Sequence, residues 1–189
     1  MKYMDAKGKL NAYRQQISEI RGAMRKVQTE IEPQEVSDYI FKTVDGKVAL
    51  SSLFGEKDDL FVIHNMGASC AYCTLWADGY NGAYDHLASR AAFVISSPDT
   101  PETQKEFAQK RGWRFPMVSH QGSSFAADMG YRSESGAFTP GVSVFQRKRR
   151  KIYRVADTLF KDYDEFCPVW HLLDLLPEGA NGWQPKFTY

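Results

Sequence analysis

Two cysteines three positions apart are the residues of this chain best suited to covalent chemistry. Cys70 and Cys73 enclose Ala71 and Tyr72, after an apolar run and at the start of a predicted helix. Free backbone N–H groups at a helix N-terminus stabilise a negative sulfur, and the thiolate is the form that attacks disulfides. One helical turn brings the second thiol within reach of the first. The spacing therefore predicts that Cys70 is the exposed nucleophile and that Cys73 is the resolving thiol.

Other uses of the cysteines remain open at this stage. The chain has three cysteines, which is too few for a disulfide framework. A zinc site would need four ligands, and Cys167 with His171, at helical i, i+4 spacing, would have to complete the set. Cys167 also suits a small apolar position in the last helix. If Cys70 and Cys73 take part in neither disulfide exchange nor zinc binding, they are two inert buried thiols.

The elements around the cysteines alternate between strands and helices. Apolar runs predict strands buried on both faces at Leu60–His64 and Ala91–Ser96. Gly141–Gln146 and Ile152–Ala156 predict a hairpin, whose basic link at 147–151 is typical of a solvated turn. This alternation predicts an α/β layer fold with a central mixed sheet. The remaining predicted elements are a hairpin over 39–50, a helix capped by Thr100 and closed by Gly112, a strand over 115–119, and helices over 124–129 and 161–176.

An amphipathic helical arm is predicted at the N-terminus, over residues 5–32, and Pro33 ends it. We therefore expect an arm over residues 1–36 and a single domain over 37–189. Its apolar stripe has two possible partners: the last helix of the same chain, or the same arm of a second chain in a homodimer. The stripe has heptad spacing and consists of Leu10, Tyr13, Ile17, Ile20, Met24, Val27 and Ile31.

Composition narrows the classes of function. The 189 residues include 24 Lys and Arg against 23 Asp and Glu, a net charge of +1 that argues against a nucleic-acid partner. No apolar run approaches the ~18 residues of a membrane span, and no signal-peptide core follows Met1. We expect a cytoplasmic protein without a nucleic-acid or membrane partner. Phosphate-loop, dinucleotide and paired-carboxylate motifs are lacking, so we expect no cofactor and no metal.

The chain resembles thioredoxin-fold proteins in three segments: Asp58–His64, the Cys70–Cys73 pair, and Phe138–Val142 at the start of a strand. The insertion from Ser97 to Tyr131 is similar to the peroxiredoxin and alkyl-hydroperoxide-reductase branch. The run Cys70–Gly82 is similar to a bacterial family of predicted dithiol-disulfide oxidoreductases. Together these similarities cover roughly residue 5 to the end and imply a thioredoxin-like three-layer sandwich.

This resemblance also implies roles for individual residues. It implies that Thr139 and Pro140 face the cysteines, with a cis bond between them, and bind substrate together with Tyr72 and Trp76. His64 occupies the position, six residues before the first cysteine, where thioredoxins carry a buried Asp. A histidine there is either a hydrogen-bonded core residue or a proton acceptor for the second thiol.

The expected function is thiol–disulfide exchange with a protein or small-molecule disulfide, supported by a reducing partner. Two alternatives remain. One is a thioredoxin-fold binding or assembly module whose thiols are incidental. The other is a peroxiredoxin-like thiol peroxidase, although the Pro and Thr that precede the peroxidatic cysteine in that family have no counterpart here.

Overall fold

A computed structural model describes all residues, 1–189, and its elements follow the predicted α/β alternation. The strands are β1 Gln34–Val36, β2 Ile40–Thr43, β3 Gly46–Ala49, β4 Asp59–His64, β5 Ala92–Ser97, β6 Met117–Ser119, β7 Gly141–Lys148 and β8 Lys151–Leu159. The helices are α1 Tyr3–Glu30, α2 Ala71–Arg90, α3 Pro101–Arg111, α4 Phe125–Asp128 and α5 Pro168–Leu173, with a 3-10 helix at Leu50–Phe54.

One mixed sheet of eight strands carries the fold, in the order β1-β8-β7-β4-β5-β6-β2-β3. β4, which contains the predicted strand Leu60–His64, pairs in parallel with β5 and antiparallel with β7. β5 in turn pairs in parallel with β6. The ends of β4, β5 and β6 and the start of β7 therefore share one edge of the sheet, which is where loops bearing functional groups collect in α/β folds.

The two faces of the sheet bury different cores. On one face, Phe93 and Ile95 of β5 pack with Trp76 of α2 and Trp170 of α5. The opposite face is lined by apolar residues of β2, β4, β5, β6 and β7, and Phe125 of α4 covers it. Helices and loops on both sides of a central sheet make the three layers that the sequence predicts.

Two local predictions need correction. The predicted last helix over 161–176 is shorter, because Pro168 occupies its first position and the Asp164 carboxylate accepts hydrogen bonds from the backbone N–H groups of Lys161 and Phe166. Such a local side-chain turn competes with helix formation. The basic link of the hairpin is also shorter, since only Arg149 and Arg150 form the turn, both with positive φ.

The N-terminal segment is a compact unit, Met1–Pro33, and Gln34–Tyr189 forms the other. Gln34–Val36, assigned to the arm from sequence, is an edge strand of the sheet paired with β8. α1 is a continuous helix that buries none of its residues. No helix of the protein is both long and apolar enough to span a bilayer.

Self-association through residues 5–32 stays a prediction. All seven apolar residues of the stripe are exposed, from 46% at Ile31 to 62% at Val27. Helices of this kind gain most of their stability from packing, so the stripe needs a partner, and of the two candidates we favour a second copy of the arm. We expect the full chain to be a dimer by light scattering at micromolar concentration, and the chain lacking residues 1–32 to be a monomer. A monomeric full chain would contradict this.

Candidate functional site

The predicted redox pair lies where the sequence places it, at the junction between β4 and α2. Cys70 is the N-cap of α2, and its Sγ accepts a hydrogen bond from the backbone N–H of Cys73 at 3.0 Å. The oxygen of Ser, Thr, Asp or Asn usually fills this capping position. A sulfur in the same position can accept hydrogen bonds from the otherwise unpaired N–H groups of the first turn. Negative charge on the Cys70 sulfur is therefore stabilised by the backbone itself.

Electrostatics favour the ionised form of Cys70. A hydrogen bond from the Cys73 thiol, together with those from the backbone N–H groups of Cys73 and Tyr72, lowers the pKa of the Cys70 thiol to about 7, while burial opposes the shift. Cys70 is half-buried, whereas Cys73 is buried. A thiol with this pKa is substantially ionised at neutral pH. Exposure and charge therefore both favour Cys70 over Cys73 as the attacking thiol of the pair.

Cys73 has the opposite character. Its side chain is buried, and its Sγ accepts a weak hydrogen bond from the backbone N–H of Met66 at 3.4 Å. The pKa of the Cys73 thiol is raised, first by its hydrogen bond to Cys70, then by burial and by the negative charge of the Cys70 sulfur. The resting pair therefore has one thiolate and one protonated thiol, which fits an attacking and a resolving cysteine.

The loop between β4 and Cys70 is held by two side chains that the sequence analysis did not single out. The Asn65 carboxamide oxygen accepts the N–H of Gly67 at 2.7 Å, and the Asp99 carboxylate accepts the N–H of Ala68 at 2.9 Å. Gly67 has φ +112°, and a Cβ there would lie 3.0 Å from an Asp99 oxygen, so only glycine fits comfortably. Position alone could have found Asp99, because it follows the strand next to β4.

The two aromatic residues predicted to bind substrate have different surroundings. Trp76 is 4% exposed, its Nε1 donates to an Asp164 carboxylate oxygen at 3.3 Å, and its ring lies 5.3 Å from that of Phe160. These are the contacts of a core residue. Tyr72 is half-buried, with its ring 6.1 Å from that of Trp170, and it lies between the two thiols in sequence. Of the two, Tyr72 is the better placed to meet a substrate.

The prediction of a cis bond between Thr139 and Pro140 is wrong, because the protein has no cis peptide bond. The Thr139 N–H donates to the carbonyl of Tyr131 at 3.0 Å, and the Pro140 carbonyl accepts the N–H of Phe160 at 2.8 Å. These bonds fix the segment on both sides with the intrinsically favoured trans bond. Both residues are half-buried and precede Gly141, which pairs with the last residue of β4, so they share the sheet edge with the cysteines.

His64 lies on the sheet face opposite α2. Its Nε2 is 2.9 Å from the Ser143 hydroxyl, and its ring stacks on Tyr131 with centroids 3.6 Å apart. Burial, the neighbouring His120 and Arg154 hold its pKa well below the ordinary range, so the ring is neutral. None of its hydrogen-bond or ring contacts is with a thiol. The structure therefore gives His64 the contacts of a core histidine and does not bring it to Cys73.

The third cysteine is separate from the pair. Cys167 is buried at the N-cap of α5, and burial is the main cause that raises its thiol pKa. No group of three or more His, Cys, Asp or Glu side chains is arranged to hold a metal ion, so Cys167 and His171 do not complete a metal set with Cys70 and Cys73.

Comparison with protein families gives one match that spans nearly the whole chain. The family described as a bacterial protein of unknown function, DUF899, matches residues 2–187. The chain belongs to this family. No curated protein matches the DUF899 chain.

Solved structures confirm the fold expected for the DUF899 chain. Peroxidoxin BcpB from Mycobacterium tuberculosis superposes with a TM-score of 0.58 and 22% identity, over 67% of this chain and 84% of that one. A cysteine-to-serine mutant of peroxiredoxin Q from Xanthomonas campestris superposes with a TM-score of 0.53 and 14% identity, over 64% of this chain and 79% of that one. A hypothetical protein from Sinorhizobium meliloti superposes with a TM-score of 0.53 and 14% identity, over 84% of this chain and 88% of that one. The DUF899 chain therefore has the thioredoxin-like fold, with peroxiredoxin-like neighbours, as its motifs indicate.

Proposed function

We propose that the protein is a thiol–disulfide oxidoreductase that uses Cys70 and Cys73 as its redox pair. The observation that carries the proposal is the asymmetry of the two thiols at the start of α2. The Cys70 sulfur caps the helix and has a pKa of about 7, while Cys73 is buried and stays protonated. Two inert buried cysteines need no such difference, whereas disulfide exchange needs one ionised thiol that attacks and one protonated thiol that resolves the mixed disulfide afterwards.

The first chemical step uses the Cys70 thiolate. It attacks one sulfur of a substrate disulfide, so that a Cys70–substrate disulfide forms, the substrate S–S bond breaks, and the first substrate thiolate leaves and takes up a proton. Backbone N–H groups at the N-terminus of α2 stabilise the attacking charge before the reaction. Tyr72, Thr139 and Pro140 are the residues we assign to substrate contact, since they flank the pair in sequence or share its sheet edge.

Formation of the mixed disulfide also activates Cys73. Two of the three causes that raise its pKa, the hydrogen bond to Cys70 and the negative charge of Cys70, are lost when Cys70 carries the substrate. The Met66 N–H that lies against the Cys73 sulfur continues to favour the thiolate. Cys73 then loses its proton and attacks the Cys70 sulfur, which releases the second substrate thiolate. The substrate gains two electrons, and the pair becomes a disulfide that an external dithiol partner must reduce.

Trapping the mixed disulfide tests this sequence of steps. A Cys73→Ser variant keeps a hydroxyl donor beside Cys70 but has no resolving thiol. We expect it to accumulate a one-to-one covalent adduct with a disulfide-bonded peptide, seen by intact mass and reversed by dithiothreitol, while the wild type turns over. Absence of the adduct, with Cys70 still free, would contradict exchange and favour the non-catalytic binding module.

A thiol peroxidase is the second candidate, because peroxiredoxins are among the structural neighbours. Here the Cys70 thiolate would attack a peroxide oxygen, break the O–O bond and become a sulfenic acid, which Cys73 would condense into a disulfide with release of water. The Cys73→Ser variant separates the two reactions. Faster capture of Cys70 as a sulfenic acid by peroxide than as a mixed disulfide would favour the peroxidase. Either reaction suits a reducing, cytoplasmic setting, which we propose for the protein.

A further inference from the structure

A turn over residues 161–166, between β8 and α5, borders the redox pair. Just before this turn, the backbone N–H of Phe160 donates to the Pro140 carbonyl at 2.8 Å. Within it, the Asp164 carboxylate accepts the Nε1–H of Trp76, in α2, at 3.3 Å. Pro140 shares the sheet edge with the cysteines, and α2 begins at the pair. These two hydrogen bonds therefore fix the turn against two of the elements that form the site.

The turn brings negative charge to this edge of the site. Residues 157–165 contain four acidic residues against one lysine, a net charge of −3. Asp164 is engaged in the hydrogen bonds that hold the turn, whereas Asp162 is exposed and forms no salt bridge. Burial raises the pKa of the Tyr72 phenol, and the negative charge of Asp162 raises it further. No positive charge is among the causes that shift the pKa of Tyr72 or of Cys70.

Tyr163 adds an aromatic surface beside this charge. Its side chain is 53% exposed, and its backbone is left-handed, with φ +65°. The centroid of its ring lies 5.1 Å from that of Trp170, which is buried, and the ring of Tyr72 lies 6.1 Å from the same tryptophan. A positive φ is unfavourable for a bulky residue and persists only where the surrounding structure holds it. Two tyrosine rings therefore share one buried support, and Asp162 directly precedes one of them in sequence.

We propose that the surface formed by Tyr72, Asp162 and Tyr163 selects disulfides that carry a positive charge close to the sulfur attacked by Cys70. The inference rests on the proposed function and names its substrate class. A lysine or arginine side chain meets an unpaired carboxylate here, together with two aromatic rings, whose faces attract cations. An acidic substrate is repelled by the same segment. A polypeptide with basic residues and a small diamine disulfide share this chemistry, so the test includes both.

Peptide disulfides of equal length, with either lysine or glutamate on both sides of each cysteine, test the selection. The measured quantity is the second-order rate constant for oxidation of the reduced full chain, followed by intact mass. Charge also changes the intrinsic reactivity of a disulfide, so each rate constant is divided by that of the same peptide with N-acetylcysteinamide. We expect the normalised lysine-to-glutamate ratio to be about tenfold at low salt and to fall towards one at 1 M salt. Equal normalised rates at low salt would overturn the inference.

Small disulfides separate the two sources of such a substrate. Cystamine and bis(2-hydroxyethyl) disulfide are nearly equal in size, and only cystamine is charged. A normalised preference for cystamine would show that a small cationic disulfide is sufficient. A preference confined to the lysine peptide would assign a polypeptide substrate.

Substitutions locate the selection. We expect Asp162→Asn to lower the normalised lysine-to-glutamate ratio about threefold or more. Tyr163→Asn removes the ring but suits the left-handed backbone, and should lower the ratio as well. Asp45→Asn removes an exposed acidic residue from the β2–β3 turn, at the far edge of the sheet, and should leave the ratio unchanged. If the peptides react but Asp162→Asn keeps the wild-type ratio, this inference alone is overturned. If no peptide reacts with Cys70, the proposed function fails and the inference fails with it.

Discussion

Replacing Cys70 by serine is expected to lower the rate of disulfide reduction by about 10³-fold or more, because the hydroxyl is a far weaker nucleophile at neutral pH. The capping hydrogen bond from the Cys73 N–H can be made to a serine oxygen as well as to sulfur, so the fold should be preserved. The measurement is insulin reduction in the presence of dithiothreitol, corrected for the uncatalysed rate.

Cys167 supplies the matched control for this prediction. It is buried at the start of α5 and separate from the pair, so Cys167→Ala should reduce insulin at nearly the wild-type rate. Comparable activity in Cys70→Ser and wild type would show that the pair is not the reacting centre. Equal losses in Cys70→Ser and Cys167→Ala would point instead to a general effect of removing a cysteine on folding.

Replacing Gly141 by alanine is expected to cost about 3 kcal/mol or more in the free energy of unfolding. A Cβ at this position would meet the ring of Tyr131 and the backbone carbonyl of Thr158 closer than such atoms approach in real proteins, with the Leu159 Cα at 3.1 Å. Tyr131 has nowhere to move, because it is buried, stacks on His64, and donates its hydroxyl to the carbonyl of Val142 at 2.9 Å. The backbone of Thr158 and Leu159, on the other side of Gly141, also cannot move without a cost in free energy.

Urea denaturation measures this loss, and Gly82→Ala in α2 is its control. Nothing lies within 4 Å of the position where a Cβ on Gly82 would be, and the residue is in the interior of a helix. The same substitution there should raise the unfolding free energy by about 0.5–1 kcal/mol, since alanine is the better helix former. Stability changes of the same sign in the two variants would contradict the packing described at Gly141.

Local patterns were enough to predict most of the fold. The nearly continuous apolar runs of β4 and β5 identify strands buried on both faces, and the Thr100 cap with Pro101 behind it places the start of α3 where it is observed. Short or irregular elements were missed for physical reasons. Gln34–Val36 has three residues and is a strand only because β8 lies beside it. Asp164 shortens the last helix through hydrogen bonds that depend on side-chain geometry.

In the candidate site, too, local sequence patterns predict some features, while others depend on contacts between residues from different elements. A cysteine pair after a strand predicts its own position, because the first thiol must fall at the helix N-terminus. The role of a strand residue also depends on which face of the sheet its side chain occupies. His64 contacts Ser143 and Tyr131, on the face opposite α2, and none of its hydrogen-bond or ring contacts is with a thiol. The bond before Pro140 has the intrinsically favoured trans form, and the segment on either side of it is hydrogen-bonded to Tyr131 and Phe160. Resemblance to a superfamily cannot supply such contacts, and there the prediction failed.

The most direct test that Cys70 is the ionised thiol of the pair is the pH dependence of its alkylation by iodoacetamide, followed by peptide mass in a Cys167→Ala background. Only the thiolate reacts, and the pKa of Cys70 is lowered to about 7. We expect the rate to rise about tenfold per pH unit below the midpoint and to level off above pH ~7, with Cys73 unmodified in the folded protein. A midpoint near the ordinary thiol value of ~8.5, or modification of Cys73 ahead of Cys70, would contradict it.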